Sequence, residues 1–131
     1  MMLQKLKILI AKPGLDGHDV GAKVVVHALM EAGFDVIYSG LRQTPEEITK
    51  MARDENVDVI GLSVLSGSHM PLCGRVRELL IEAGLGDKLW MVGGNIPEPD
   101  RLPLGNLGFR GVFPTETRLG DIVAFIRENA A

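Results

Sequence analysis

Residues 7–32 read KILIAKPGLDGHDVGAKVVVHALMEA, a strand pattern, a glycine-rich loop and a helix pattern in succession. Lys7–Ala11 is a short apolar run of the kind that a strand buried on both faces needs. Val20–Ala32 has the longer period of a helix, and Gly33 ends it. A strand that leads into a helix through a glycine-rich loop is the first half of a βαβ unit. Ligands of such sheets bind beyond the carboxyl ends of the strands, so residues 12–21 lie where a ligand is expected.

Asp16 and His18 are the candidate functional pair of this loop. Because they are two residues apart, an extended backbone places both side chains on the same side. A carboxylate that accepts a hydrogen bond from one imidazole nitrogen leaves the other nitrogen able to bind a metal. Gly14, Gly17 and Gly21 leave room for a bulky ligand or a sharp turn. On this local pattern alone, the pair could equally cap the following helix and face water.

The rest of the chain alternates strand and helix patterns without a linker or a repeat. The later predicted strands are Asp35–Ser39, Val57–Ser63, Lys88–Val92 and Gly111–Phe113. The later predicted helices are Pro45 to about Glu55, Pro71–Ala83, Pro99–Leu107 and Leu119–Asn129. The expected core face of the first helix consists of Val20, Val24, Val25, Ala28, Leu29 and Ala32. Thr44, Pro45 and Glu47 form a capping box before the second helix.

This alternation predicts a single domain over residues 1–131. Crossovers between parallel strands are almost always right-handed, which places helices on both faces of the sheet. We therefore expect an α/β fold with a doubly wound, five-stranded parallel sheet in the flavodoxin-like order 2-1-3-4-5. The first and third strands then diverge at the switch point, and the loops after them are rich in glycine and polar residues.

Three kinds of ligand compete for this edge of the sheet. A phosphoacceptor site is disfavoured, because the third strand ends in Leu62-Ser63 and Asp58 lies at the opposite edge. A flavin mononucleotide site is disfavoured, because residues 12–21 contain no serine or threonine to hold the phosphate. A large metal-bearing cofactor with one axial histidine and a long tail would account for the His18 loop, the Ser63 loop and Gly93-Gly94 together.

Composition narrows the class of protein. The net charge of −3 and the scattered basic residues argue against a nucleic-acid partner. The only cysteine, Cys73, cannot form an internal disulfide; its apolar surroundings predict a buried thiol, and the chain suits a reducing cytoplasm. No apolar run is long enough for a membrane span, and residues 1–5 show no signal-peptide pattern. We expect a cytoplasmic protein with no membrane partner.

Three separated motifs then carry a family resemblance. The pattern Asp16-x-His18-x-x-Gly21, followed by Ser63-x-Leu65 and by Gly93-Gly94, resembles the signature of cobalamin (vitamin B12)-binding domains. These flavodoxin-like domains bind vitamin B12 with its dimethylbenzimidazole base displaced from cobalt and a protein histidine in its place. Residues 11–23, 43–47 and 93–97 are most similar to methylmalonyl-CoA mutase and its acyl-CoA mutase relatives.

Carried over residue by residue, the resemblance implies that His18 is the lower axial cobalt ligand and that Asp16 is its carboxylate partner. It also implies a hydrogen bond from Lys12 to that pair. Other residues implied to contact the cofactor, several of them around its nucleotide tail, are Gly17, Gly21, Ser63, Leu65, Gly93, Gly94 and Thr117. Segment 114–116 departs from the glycine-bearing turn that the family has before Thr117. His69 has a counterpart in acyl-CoA mutases.

The implied function is that of the cofactor-binding subunit of an adenosylcobalamin-dependent isomerase. In acyl-CoA mutases the radical rearrangement occurs in a (β/α)₈ barrel of about 250 residues, which a chain of 131 residues cannot contain. The resemblance therefore implies a large barrel subunit that binds the acyl-CoA, and no catalytic residue in this chain. One alternative is a corrinoid carrier for methyl transfer, although such carriers normally have a helical bundle before this domain. Another is a stand-alone cobalamin store or regulator.

Overall fold

The computed structural model describes residues 5–14, 20–64 and 69–130. Within these ranges, five strands alternate with five helices. The strands are β1 (Lys7–Ala11), β2 (Asp35–Tyr38), β3 (Val59–Val64), β4 (Leu89–Gly94) and β5 (Gly111–Pro114). The helices are α1 (Val20–Glu31), α2 (Pro45–Asp54), α3 (His69–Glu82), α4 (Glu98–Asn106) and α5 (Leu119–Asn129). The predicted α/β alternation is confirmed.

All strand pairs are parallel, and the order is β2-β1-β3-β4-β5. The flavodoxin-like, doubly wound sheet is therefore confirmed. β3 extends to Val64, one residue beyond its predicted end, and β4 runs through Gly93 and Gly94, the pair expected at its carboxyl end. The ladder between β3 and β4 continues to the pair Val64 and Gly94 at that edge.

Two apolar layers cover the sheet. One packs the sheet against α2, α3 and α4 through residues such as Ile48, Val76 and Leu104. The other packs it against α1 and α5 through residues such as Leu29 and Ile126. Helices therefore lie on both faces, as right-handed crossovers require.

The predicted core face of α1 is wrong in part. Val20 is 76% exposed and Val24 is 48% exposed, whereas Ala22 and Leu29 are buried. The helix is apolar around most of its circumference, with Val24, Val25 and Val26 in succession, so the sequence period does not define one face. The amino-terminal part of α1 borders a cavity instead of packing fully on the sheet.

Other local predictions are confirmed. Thr44 Oγ1 accepts from the Glu47 amide at 3.0 Å, and a Glu47 carboxylate oxygen accepts from the Thr44 amide at 2.9 Å, which completes the capping box. Cys73 is fully buried and has a free thiol. In the described ranges, no helix combines the length and the apolar character that a membrane crossing requires.

Candidate functional site at the carboxyl edge of the sheet

The start of the loop after β1 is anchored by the segment between β2 and α2. The Gln43 amide donates to the Lys12 carbonyl at 3.0 Å, and the Gly14 amide donates to the Gln43 carbonyl at 2.9 Å. The Lys12 amide donates to Ser39 Oγ at 3.1 Å. These bonds fix the point at which the candidate loop leaves the sheet. Asp16, Gly17 and His18 lie outside the described residues, and so does Leu65.

Lys12 links the ends of β1 and β3. These strands are neighbours in the sheet, and the helices that follow them pack on opposite faces. Its side chain is fully buried, and Nζ donates to the carbonyl oxygen of Ser63 at the end of β3, at 3.1 Å. A buried ammonium requires such acceptors, because removing a charge from water without them is costly. The contact that the resemblance implies, from Lys12 to Asp16 and His18, involves residues outside the described ranges.

A cavity of about 430 Å³ opens between the sheet and helices α1 and α5. Every described residue predicted to contact the cofactor, except Lys12, lines it: Gly21, Ser63, Gly93, Gly94 and Thr117. These residues come from four separate segments of the chain. The remaining described lining residues are mostly apolar: Ile10, Ala22, Val24, Val25, Gly61, Leu62, Met91, Val92, Phe113, Pro114, Thr115, Leu119 and Ile122.

The register of the sheet arranges the floor of this cavity in two rows. Ser63, Gly93 and Phe113 are cross-strand partners in the outer row, nearer the carboxyl edge. Two residues deeper, Ile10, Gly61 and Met91 form the inner row. Because strands rise about 3.3 Å per residue, the rows are about 6–7 Å apart. The floor therefore extends inward from the edge over two rows of residues.

Glycine is required at the rim of this floor. Gly94 has φ +125°, and a Cβ placed there would overlap the carbonyl oxygen of Val64. At Gly93 a Cβ would lie 3.3 Å from the Phe113 carbonyl oxygen. With no side chain at either position, a flat group could approach the backbone of β4 closely. The size of the cavity, its apolar lining and this bare rim fit a buried aromatic base.

Thr117 reaches the cavity although the expected glycine-bearing turn is absent. Its amide donates to the Pro114 carbonyl at 2.9 Å, which closes the turn after β5. Thr115 and Thr117 both line the cavity. The sequence placed segment 115–117 at this edge of the sheet, but the family resemblance implied a cofactor contact only for Thr117.

His69 lies at the first position of α3, not in the preceding loop as the sequence indicated. It is fully buried, and its Nε2 lies 2.9 Å from the carbonyl oxygen of Val64. A carbonyl only accepts hydrogen bonds, so Nε2 carries the proton and donates it. Among the described residues, Nδ1 is buried without a partner. His69 thus holds the same carbonyl that abuts Gly94.

Sequence reasoning missed the inner row of the floor. Gly61 was not singled out, although a glycine inside a strand often marks a close approach of another group. A Cβ at Gly61 would lie 2.9 Å from Ile10 Cδ1 and 3.1 Å from Met91 Cε. The side chains on both sides therefore extend over Gly61, an arrangement that only the strand register reveals.

Comparison with known proteins identifies the family. Residues 6–118 match the B12 binding domain family. The chain belongs to this family. It is 45% identical over 126 residues to the 2-hydroxyisobutanoyl-CoA mutase small subunit of Aquincola tertiaricarbonis, covering 96% of this chain and 93% of that subunit. It is 46% identical over 118 residues to ethylmalonyl-CoA mutase of Methylorubrum extorquens, covering 89% of this chain but only 17% of that protein. The predicted resemblance to B12-binding domains of acyl-CoA mutases is confirmed.

Solved structures support the fold of this B12-binding domain. A cobalamin-binding protein from Desulfitobacterium hafniense superposes with a TM-score of 0.80 at 22% identity, covering 95% of this chain and 59% of that one. A chemotaxis protein from Vibrio cholerae superposes with a TM-score of 0.73 at 16% identity, covering 96% and 99%. At such low identities the likeness concerns the fold alone.

Asp58 lies away from the candidate site, at the opposite edge of the sheet, as the sequence predicted. A carboxylate oxygen of Asp58 accepts from the Lys7 amide at 2.9 Å, at the amino ends of the strands.

Proposed function

We propose that this chain is the cobalamin-binding subunit of an adenosylcobalamin-dependent acyl-CoA mutase in the cytoplasm, with residues 1–131 forming one domain. The observation that carries the proposal is the cavity between the sheet and helices α1 and α5. It is lined by predicted cofactor-contacting residues from four segments of a B12-binding domain. The 45% identity to a mutase small subunit, over nearly the whole of both chains, supports the mutase class.

In this proposal His18 is the lower axial ligand of cobalt. Asp16 accepts a hydrogen bond from the other imidazole nitrogen, which fixes the tautomer and orients the ring. Gly17 leaves space between these two residues. The anchoring of Lys12 and Gly14 supports it, because the loop that bears His18 begins at a fixed point of the carboxyl edge.

The cavity holds the nucleotide tail with the base displaced from cobalt. Ser63, Gly93, Gly94 and Thr117 border the slot, and Leu65 contributes from the loop after β3. Gly21, at the start of α1, lies on the opposite wall of the cavity. It leaves space for the cofactor there, because a Cβ at this position would meet no atom within 4 Å. The apolar walls exclude water from the bound base and favour its burial.

The bound adenosylcobalamin supplies an organic radical for carbon-skeleton isomerisation, and this chain binds and orients it. No residue of this chain is assigned as a catalyst. The substrate acyl-CoA would bind a large (β/α)₈-barrel subunit. The lengths of relatives support a separate partner: the chain spans nearly all of one small subunit but under one fifth of ethylmalonyl-CoA mutase.

The proposal is tested in two steps. First, the purified chain is titrated with adenosylcobalamin and followed in the visible spectrum, where base displacement changes the absorption. Second, the loaded chain is mixed with candidate large subunits, and isomerisation of several acyl-CoAs is assayed. We expect binding by the chain alone and turnover only with a large subunit. Turnover by the loaded chain alone, or no binding of the cofactor, would contradict the proposal.

A separate assay, of methyl transfer, tests the methyl-carrier alternative. The chain resembles the monomethylamine corrinoid protein of Methanosarcina barkeri in fold, with a TM-score of 0.75, but at only 20% identity. The mutases named above are 45% and 46% identical. We therefore load the chain with methylcobalamin and add corrinoid methyltransferases and a thiol acceptor. We expect no transfer of the methyl group to the thiol.

A further inference from the structure

The inner end of the cavity differs chemically from its mouth. Among the described lining residues, only Ser63, Thr115 and Thr117 have polar side chains, and none is charged. Ser63 lies in the outer row of the floor, while Thr115 and Thr117 follow the end of β5. All three are therefore near the carboxyl edge, where the cavity opens.

The inner row offers no side-chain hydrogen-bond partner. Ile10 and Met91 are only 3% exposed, and they extend over Gly61 between them. Phe113 belongs to the outer row, but its ring extends inward over Gly111, the cross-strand partner of Met91. Ile122 also lines the cavity, from α5. The backbone groups of β1, β3 and β4 at this depth are engaged in the parallel ladders. A group that enters this end meets hydrocarbon, an aromatic ring and the Met91 thioether.

We propose that this apolar inner end makes the chain selective for corrinoids whose lower base is a benzimidazole over those whose base is a purine. The inference rests on the proposed function, since it assumes that the tail enters this cavity. The methyl groups and fused benzene ring of dimethylbenzimidazole lose nothing in an apolar pocket and gain from leaving water. Its free ring nitrogen can face the polar mouth.

Adenine has about the same size and shape but a different polar pattern. Its exocyclic amine and extra ring nitrogens would be buried against Ile10, Met91 and Phe113 with no partner. Burying a polar group that loses its hydrogen bonds to water is unfavourable, whereas a well-packed apolar edge is not. The site would therefore disfavour adenine, because it would leave the polar groups of that base without hydrogen-bond partners.

The test compares three ligands in visible-spectrum titrations of the full chain: cobalamin, adeninylcobamide and cobinamide, which lacks the tail. We expect adeninylcobamide to bind at least about tenfold more weakly than cobalamin, a gap of ~1.4 kcal/mol. Met91→Gln places an amide of similar length in the inner row, and we expect it to narrow this ratio. Met91→Leu is the matched apolar control and should keep the ratio. Urea unfolding of both variants checks that the fold survives.

Each outcome has a distinct meaning. Weaker binding of adeninylcobamide in the native chain, with a smaller ratio only in Met91→Gln, supports the inference. Equal or tighter binding of adeninylcobamide, with both tailed ligands still tighter than cobinamide, overturns the selectivity but leaves cobalamin binding intact. Equal binding of all three would show that the tail is not buried. Failure of every ligand to bind would contradict the proposed function itself.

Discussion

The side-chain nitrogen of Lys12 donates a hydrogen bond to the main-chain oxygen of Ser63 across 3.1 Å, in the interior of the protein. This contact links the ends of β1 and β3, the strands that diverge at the switch point. It fixes the start of the candidate ligand loop relative to the floor of the cavity. The contact is thus structural in the free protein, and in our proposal it also positions the His18 loop.

Replacing Lys12 with methionine tests this contact. Lys12→Met keeps a long apolar side chain but leaves the Ser63 carbonyl without its donor, so we expect the free energy of unfolding to fall by about 1–3 kcal/mol. Urea unfolding of the ligand-free chain measures it. Lys50→Met is the control, because Lys50 is 70% exposed and its pair with Asp54 contributes little. Equal stability of Lys12→Met and the native chain would show that the contact does not stabilise the edge.

The rim of the cavity should tolerate no side chain at position 94. In Gly94→Ala the new Cβ would overlap the Val64 carbonyl, and the φ of +125° is unfavourable for alanine. We expect a loss of at least about 2 kcal/mol of stability. Gly74→Ala, inside α3 with no atom within 4 Å of the new Cβ, should instead stabilise the chain by about 0.5–1 kcal/mol. Thermal or urea unfolding that ranks the two variants in the opposite order would contradict this account.

The parallel sheet could be predicted from the sequence because each short apolar run was separated from the next by a helix pattern. The order 2-1-3-4-5 was then chosen as one of the common orders of doubly wound sheets. The capping box at Thr44 was equally local, since its two hydrogen bonds depend on residues three apart. The face of α1 could not be predicted in the same way. Val20 and Val24 are as apolar as Leu29, yet Leu29 is buried and they are exposed; Val24 borders the cavity beside α1.

Some residues of the candidate site could also be predicted from the sequence, and others could not. Gly93 and Thr117 could be identified from motifs, because a family resemblance needs only residue types at a spacing. Gly61 and Met91 could not, since their place beside the cavity depends on the register between β3 and β4. The position of His69 also depended on where α3 begins, and a helix boundary is the least certain part of a sequence pattern.

A side chain that fills the cavity should remove the affinity that cobalamin gains from its nucleotide tail. Burying an aromatic base removes about 150–250 Å² from water, or roughly 4–6 kcal/mol before ordering costs. We expect cobinamide to bind at least about a hundredfold more weakly than cobalamin, a gap of ~2.7 kcal/mol. Gly93→Leu should abolish most of this gap, whereas Gly86→Leu, at an exposed glycine with open space around it, should preserve it. Titrations in the visible spectrum measure both ratios, and an unchanged gap in Gly93→Leu would place the tail elsewhere.

The buried thiol should make stability depend on alkaline pH. Burial raises the pKa of Cys73 from its ordinary value of 9.0 to about 12. Above pH 9 the unfolded chain releases this proton while the folded chain keeps it, so folding loses up to ~1.4 kcal/mol per pH unit until about pH 12. Below pH 9 the thiol is protonated in both the folded and the unfolded chain, so its ionisation does not change the free energy of unfolding.

Cys73→Ala isolates this effect from the lysines and the tyrosine. We expect the stability difference between the native chain and the variant to be constant below about pH 9 and to shift against the native chain above it. Urea unfolding of both proteins at several pH values measures the difference. A difference that does not change with pH would show that the thiol is not buried as described.

We propose that His18 binds cobalt in place of the displaced base, and electron paramagnetic resonance can detect this ligand. The chain is loaded with cob(II)alamin, and the nitrogen hyperfine splitting is recorded with natural and with ¹⁵N-labelled histidine. We predict a splitting that changes with the label and is lost in His18→Ala, but persists in His27→Ala, whose histidine is exposed and paired with Glu31 on the surface. A histidine-derived splitting that survives in His18→Ala, or one that never responds to the label, would contradict the account.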